Sequence, residues 1–229
     1  MSTPQLPLAF NPSPHQCFDA FVQGENAYAL GAVFAVVADP TPRAVFLFGP
    51  DGAGKSHLLV AAARRVAGAT YLPLALLGAN AEAALSARGD APLVCVDDVH
   101  EIAGNRSAEI ALFDLYNRCR DSGGRILLAG RQAPLKLPLV LRDLASRLAS
   151  SAQFPVRPLD EDARRDVLRA RAAERGFELD DAVIEFLFRR HARDLGALLT
   201  LLDHVDKASL AEQRRVTVPF LRRLIGLRE

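Results

Sequence analysis

Short apolar runs alternate with amphipathic stretches of helical length along the first two thirds of the chain. The apolar runs predict strands at Ala44–Phe48, Thr70–Leu74, Leu93–Val96, Ile126–Ala129 and Gln153–Val156. The stretches between them predict helices at His57–Ala67, Ala81–Ala87, Ser107–Arg120 and Leu139–Ala149, and a further helical pattern, interrupted near Gly24, covers Cys17–Ala38. Alternation of this kind predicts an α/β fold with a parallel sheet and helices on both faces.

Both ends of the chain depart from this alternation. After Pro158 the pattern is wholly helical, with predicted helices at Asp160–Glu174, Asp180–Arg190, Asp194–Ala211 and Pro219–Leu227. Asp160, Asp180 and Thr217 are placed to cap three of them. Residues 1–16 carry four prolines and little helical periodicity. We therefore predict a flexible arm over 1–16, an α/β domain over 17–157 and a small helical domain over 158–229.

A glycine-rich loop follows the first predicted strand and precedes a predicted helix. Gly49-Pro-Asp-Gly52-Ala53-Gly54-Lys55-Ser56 matches the P-loop pattern GxxxxGK[ST] in full. Such a loop turns backbone N–H groups toward phosphate oxygens, and the helix start adds its positive dipole end. In this motif the lysine reaches the β- and γ-phosphates and the serine ligates Mg²⁺. We therefore expect ATP or ADP, with Mg²⁺, at this loop.

A second motif lies about 40 residues further on. The apolar run Leu93-Val-Cys-Val ends in Asp97 and Asp98. Carboxylates at the carboxyl end of a buried parallel strand face the ligand-binding edge of the sheet. We expect Asp97 to help hold Mg²⁺ and Asp98 to polarise the attacking water.

The composition excludes several other classes of protein. The net charge of +1 gives no electrostatic footprint for DNA or for an anionic membrane. No apolar stretch reaches the length of a membrane span, and no secretory signal is evident. Cys17, Cys95 and Cys119 follow no zinc-binding spacing and are expected to be free thiols. We expect a cytoplasmic protein without membrane attachment or direct sequence-specific DNA binding.

With these motifs the chain resembles the AAA+ ATPases, and within them the initiator DnaA and the Hda family of DnaA-homologous regulators. The segments CFDAFVQGENAYAL, FDLYNR, DLASRL and RGFELDDAVIEFL carry the likeness over almost the whole chain. The resemblance implies a five-stranded parallel sheet in the order 5-1-4-3-2 and a C-terminal helical lid. It also implies two partners, a DnaA-type initiator and the sliding clamp of DNA polymerase, and it allows a homo-oligomer.

The resemblance assigns roles to further residues. Val22 lies in the segment that surrounds the adenine in DnaA-type proteins. Arg147 matches the arginine finger, which reaches the nucleotide of a neighbouring subunit, and Arg193 matches the lid arginine that contacts the nucleotide in cis. A finger has to be arginine because it needs a permanent charge and a forked donor. For each arginine the alternative is an ordinary surface side chain.

The arm resembles the motif by which bacterial proteins bind the sliding clamp. The motif is Gln5-Leu6-Pro-Leu8-Ala-Phe10, in which Gln5 and the spaced apolar side chains Leu6, Leu8 and Phe10 would occupy a hydrophobic pocket. The alternative is an apolar arm that packs on its own domain.

Three features differ from DnaA. Ala129 and Arg131 stand where DnaA has polar residues that sense the γ-phosphate, the stretch between Leu74 and Leu93 is short, and no helix-turn-helix domain is expected after the lid. These differences favour a regulator that, with the clamp, promotes hydrolysis of ATP bound to the initiator and so prevents re-initiation of replication. Two alternatives stay open: an autonomous ATPase of the helicase-loader type, which Lys55 and Asp97 favour, and an adaptor that binds DnaA-type proteins without stimulating hydrolysis.

Overall fold

The computed structural model describes residues 16–41, 43–87, 91–191, 195–212 and 216–224. These residues form two compact units: the first contains the described residues up to Pro50 together with Gly54–Arg157, and the second contains those from Pro158 onward together with Asp51–Ala53. Cys17, Cys95 and Cys119 are free thiols, as predicted. Among the helices of these residues, none is both long enough and apolar enough to cross a membrane.

The first unit is built on a five-stranded parallel sheet. Its strands are β1 (Ala44–Phe48), β2 (Thr70–Pro73), β3 (Leu93–Asp97), β4 (Arg125–Gly130) and β5 (Ala152–Pro155). They lie in the order β2-β3-β4-β1-β5, and every neighbouring pair is parallel. This arrangement confirms the predicted order 5-1-4-3-2. All residues of β3 and β4 are buried, which explains why these strands have no polar alternation in the sequence.

Six helices accompany the sheet within the described part of this unit. They are α1 (Ala27–Ala38), α2 (Lys55–Arg65), α3 (Leu74–Leu77), α4 (Ala81–Ser86), α5 (Arg106–Asp121) and α6 (Arg142–Ala149). Single turns of 3₁₀-helix occur at Phe18–Ala20, Gly78–Asn80, Val99–Ile102 and Pro134–Lys136. The core contains Phe46, Leu112, Leu115, Leu128 and Leu144, all with no exposed surface.

Two helix starts differ from the predictions. The helical pattern from Cys17 begins only as a short 3₁₀ turn, and α1 starts at Ala27 because Gly24 adopts a positive φ of 49°. The helix predicted from Leu139 starts at Arg142. The N–H groups of Val140 and Leu141 donate to the Glu109 carboxylate instead, and Leu141 has an extended backbone.

The second unit is helical. It contains α7 (Glu161–Glu174), α8 (Asp181–His191), α9 (Leu195–Glu212) and α10 (Val218–Leu224). Leu168, Ile184, Leu198, Val205 and Leu221 lie in its core without exposed surface. The predicted caps are present at two helices: Asp160 Oδ1 accepts from Ala163 N at 2.7 Å, and Thr217 Oγ1 accepts from Phe220 N at 3.4 Å.

We expect Asp160→Ala to lower the free energy of unfolding of the second unit by about 1 kcal/mol, because α7 loses its capping acceptor. Asp162→Ala is the matched control, since Asp162 is an exposed aspartate in the first turn of the same helix. Chemical denaturation of both variants measures the difference. Equal stability of the two variants would show that the cap contributes nothing.

Candidate nucleotide-binding site

The phosphate-binding loop connects β1 to α2, and two of its glycines cannot be replaced without a clash. A Cβ at Gly49 would lie 2.1 Å from the Val156 carbonyl oxygen. Gly54 is the residue before α2 and has a φ of 99°, and a Cβ there would lie 2.8 Å from the Phe21 ring. The sequence pattern therefore reflects real steric limits, and the loop ends at a helix N-terminus with backbone N–H groups available for an anion.

Lys55 is the first residue of α2 and only 5% exposed. Its Nζ donates to the carbonyl oxygens of Gly49 and Pro50, at 2.8 Å in each case. These acceptors offset part of the cost of burying the ammonium group. Lys55 thus holds a positive charge against the loop. Ser56, the next residue, is partly buried, and Ala53 is buried.

Asp97 is the last residue of β3 and Asp98 follows it, at the carboxyl edge of the sheet from which the loop also leaves β1. Asp97 is 1% exposed. Its Oδ1 accepts from the Asp98 N–H at 2.9 Å, and its Oδ2 accepts from the Tyr71 hydroxyl at 2.8 Å. Asp98 has a left-handed backbone with a φ of 56°, a conformation that non-glycine residues adopt mainly at turns and functional sites.

The end of β4 lies between these two elements. Gly49 N–H donates to the Gly130 carbonyl at 3.2 Å, so the loop is joined to this strand end. Ala129 is fully buried, and Arg131 is half exposed with its Nη1 4.0 Å from the Glu101 carboxylate. The two positions at which the resemblance predicts polar side chains thus carry a buried methyl group and an arginine beside an acid.

The segment that contains Val22 lies beside the loop. The Cys17 carbonyl oxygen is 2.7 Å from His57 Nε2, and the Phe21 ring meets the His57 ring edge-on with centroids 5.4 Å apart. Further along, the Asn26 side chain donates to the Arg157 carbonyl at 2.8 Å and accepts from the Arg157 N–H at 2.7 Å. Val22 itself is 41% exposed.

Arg147 lies on α6 and is partly buried. Its charge acts on Tyr116: burial raises the pKa of that hydroxyl, and a hydrogen bond with Ser150 and the charge of Arg147 oppose the rise. Within the described residues, no hydrogen bond or ion pair joins its guanidinium to the phosphate-binding loop or to Asp97. The other predicted site residues, Arg193 of the lid and Gln5, Leu6, Leu8 and Phe10 of the arm, lie outside the described residues.

Comparison with known proteins gives the following matches. Residues 160–225 match the family described as "Hda, lid domain". The structure aligns with domain III of the Thermotoga maritima replication initiation protein DnaA at a TM-score of 0.75 and 22% identity, covering 93% of this chain and 96% of that chain. AMPPCP-bound DnaA from Aquifex aeolicus aligns at a TM-score of 0.64 and 23% identity, covering 87% of this chain and 67% of that chain. The Aeropyrum pernix ORC1 protein in complex with DNA aligns at a TM-score of 0.70 and 16% identity, covering 93% of this chain and 68% of that chain.

At these identities the likeness to solved structures shows a shared fold, and the family match adds the type of lid. The chain has the fold of DnaA domain III, and its residues 160–225 match the lid domain of the Hda family. The predicted fold class is therefore confirmed, and the match over residues 160–225 supports the predicted resemblance to the Hda family.

The first unit contains a buried acid that the sequence analysis missed. Glu109 of α5 has no exposed surface, and its carboxylate accepts from the N–H groups of Gly104, Val140 and Leu141 at 2.7–3.1 Å. It thereby holds the start of α6, the helix of Arg147, and the turn that precedes α5. The signal in the sequence was a glutamate on the apolar face of a helix, next to Ala108 and three residues before Leu112.

The oxygen donors at the carboxyl edge of the sheet are of the kind that hold Mg²⁺. Ser56 offers a hydroxyl and Asp97 a carboxylate, which are hard ligands suited to that ion. Within the described residues, no three His, Cys, Asp or Glu side chains cluster as a metal site. A site that relies on one carboxylate together with phosphates and water fits this arrangement.

Proposed function

We propose that this protein is a nucleotide-binding regulator of replication that, with the DNA-loaded sliding clamp, promotes hydrolysis of ATP bound to a DnaA-type initiator. The Hda-type lid and the DnaA-like fold support the family context. The observation that carries the proposal is Arg147, an arginine of α6 that makes no hydrogen bond or ion pair with its own phosphate-binding loop within the described residues.

In this proposal the loop Gly49–Ser56 binds the phosphates of ADP or ATP. Lys55 holds the charge that faces the β- and γ-phosphates, Ser56 and Asp97 help hold Mg²⁺, and Val22 contributes to the adenine side. Arg193 contacts the nucleotide from the lid. When bound, Mg²⁺ neutralises charge on the phosphate oxygens. Two matched solved structures of DnaA hold AMPPCP, which supports a nucleotide site in this fold.

The activating residue in this proposal is Arg147, acting on the nucleotide of the initiator. Charge develops on phosphate oxygens as the γ-phosphoryl group departs, and a positioned guanidinium stabilises that state more than the ground state. Glu109 supports this role because its carboxylate fixes the N-terminus of α6. A helix held by buried hydrogen bonds presents its side chains in a defined position.

Hydrolysis by this protein itself is the second candidate function, and Asp98 is the observation that favours it. Asp98 stands at the sheet edge in a left-handed conformation and is the candidate to polarise water. Against it, Ala129 leaves the end of β4 without a polar side chain at that position. We therefore expect weak turnover by the isolated protein.

The proposed function is tested by measuring ATP hydrolysis on the initiator with this protein, with DNA-loaded clamp, with both, and with neither. We expect acceleration only when both are present. ATP hydrolysis by this protein alone, as fast as in the mixture with initiator and clamp, would favour the autonomous ATPase. Binding to the initiator without any acceleration would favour the adaptor.

The arm provides a separate prediction. Changing Gln5 and Leu6 to Ala, or deleting residues 1–10, should weaken clamp binding at least tenfold because the proposed motif lies there. Nucleotide affinity should not change. Co-elution with the clamp and titration with ADP measure the two properties. A truncated protein that still co-elutes with the clamp would place the binding site elsewhere.

A further inference from the structure

Tyr71 links the second strand of the sheet to the acidic edge. It lies on β2, which pairs with β3 so that Pro73 is opposite Asp97. Across these strands the Tyr71 hydroxyl donates to Asp97 Oδ2 at 2.8 Å. The other oxygen of Asp97 accepts from the Asp98 N–H. The carboxylate is therefore held at both oxygens, at Oδ1 by the backbone of the next residue and at Oδ2 by a side chain of the neighbouring strand.

Burial makes this contact important for Asp97. A carboxylate that is 1% exposed has lost most of its water, so its oxygens need hydrogen-bond donors in place of that water. Within the described residues, the donors to Asp97 are the Asp98 N–H and the Tyr71 hydroxyl. Without the hydroxyl, Oδ2 would be a buried acceptor with no donor.

The hydrogen bond from Tyr71 uses only part of the acceptor capacity of Asp97 Oδ2. Each carboxylate oxygen has two lone pairs, so Oδ2 can accept from Tyr71 and still face a metal ion or its water.

We propose that Tyr71 is a positioning residue that orients the Asp97 carboxylate for Mg²⁺ and so sets how strongly Mg²⁺ tightens nucleotide binding. This inference rests on the proposed role of Asp97. Partners that hydrogen-bond to metal-ligating carboxylates fix their orientation, and losing one typically lowers metal affinity by about 10- to 100-fold. Tyr71 does not touch the nucleotide in this proposal, so its effect should be confined to binding in the presence of Mg²⁺.

The test is calorimetric titration of the full chain with ADP, in excess Mg²⁺ and in EDTA, for the wild type, Tyr71→Phe and Asp97→Asn. Tyr71→Phe removes one oxygen and leaves the ring in place. We expect the gain in ADP affinity from Mg²⁺ to fall by about tenfold or more in this variant. Affinity in EDTA should stay within about twofold of the wild type.

Two controls make the result specific. Tyr116→Phe removes the hydroxyl of a buried tyrosine elsewhere, on α5, and should leave the Mg²⁺ gain intact. The double variant of Tyr71→Phe and Asp97→Asn should lose no more of the gain than Asp97→Asn alone, because Tyr71 acts through Asp97.

Three outcomes would overturn the inference, and they differ in what else they affect. If Asp97→Asn lowers the Mg²⁺ gain and Tyr71→Phe does not, only the role of Tyr71 is wrong. If Tyr71→Phe weakens ADP binding equally in Mg²⁺ and in EDTA, the residue serves the fold rather than the carboxylate. If Asp97→Asn leaves the gain unchanged, the proposed Mg²⁺ role of Asp97 fails together with the inference.

Discussion

Arg147→Ala should lose most of the stimulation of hydrolysis on the initiator while keeping its fold, its nucleotide affinity and its clamp binding. Arginine fingers contribute roughly 10³- to 10⁵-fold to the rate, and an initiator that supplies part of the charge would reduce this factor. The guanidinium makes no hydrogen bond or ion pair within the described residues, so its removal should disturb little of the structure. Single-turnover hydrolysis on the initiator measures the loss.

Arg142→Ala is the matched control for this prediction. Arg142 is an exposed arginine at the start of the same helix, α6, and its removal changes the net charge equally. We expect it to retain stimulation. Arg147→Lys should stimulate hydrolysis little better than Arg147→Ala, since an ammonium keeps the charge but lacks the planar fork.

A different outcome is expected if Arg147 only supports its own helix. The Ala variant would then melt at a lower temperature and lose binding along with stimulation. A well-folded Arg147→Ala protein that stimulates at the wild-type rate would exclude the finger role and favour the adaptor.

Lys55→Ala should weaken ADP and ATP binding at least tenfold, which corresponds to about 1.4 kcal/mol, and we expect a loss nearer a hundredfold. The variant removes the cation that faces the phosphates. It also removes the donor that holds the Gly49 and Pro50 carbonyls, so the loop loses two contacts that shape it. Calorimetric titration gives both affinities.

Arg65→Ala is the control for Lys55. Arg65 is an exposed basic residue at the opposite end of α2, so it changes the net charge without touching the loop. We expect wild-type affinity for this variant. The same affinity in Lys55→Ala and the wild type would mean that the loop does not bind phosphate in the proposed way.

The sequence predicted the parts of the fold that depend on local pattern. Buried strands such as β3 and β4 are continuous apolar runs, and the positive φ angles of Gly52 and Gly54 are a local property of the loop. The start of α6 was predicted three residues too early. There the backbone N–H groups of Val140 and Leu141 bond to Glu109, a residue about thirty positions away, and a local pattern carries no information about such a partner.

In the candidate site, too, the residues of local motifs were predicted and those that depend on distant contacts were not. Lys55, Ser56 and Asp97 belong to motifs with fixed spacing, so they could be named before the fold was known. Tyr71 belongs to no motif: it bonds to Asp97 only because β2 lies next to β3, and that adjacency is a property of the sheet order. Long-range hydrogen bonds of buried polar groups are therefore what the sequence alone did not provide.

The central claim is that this protein activates hydrolysis on another molecule. It is tested most directly by loading labelled ATP on the initiator alone, supplying this protein with unlabelled ADP and adding DNA-loaded clamp. We predict that the labelled ATP is converted to ADP in a single turnover at a rate that depends on the amount of this protein and on Arg147. Conversion at the rate of the initiator alone, at every concentration of this protein, would contradict the account.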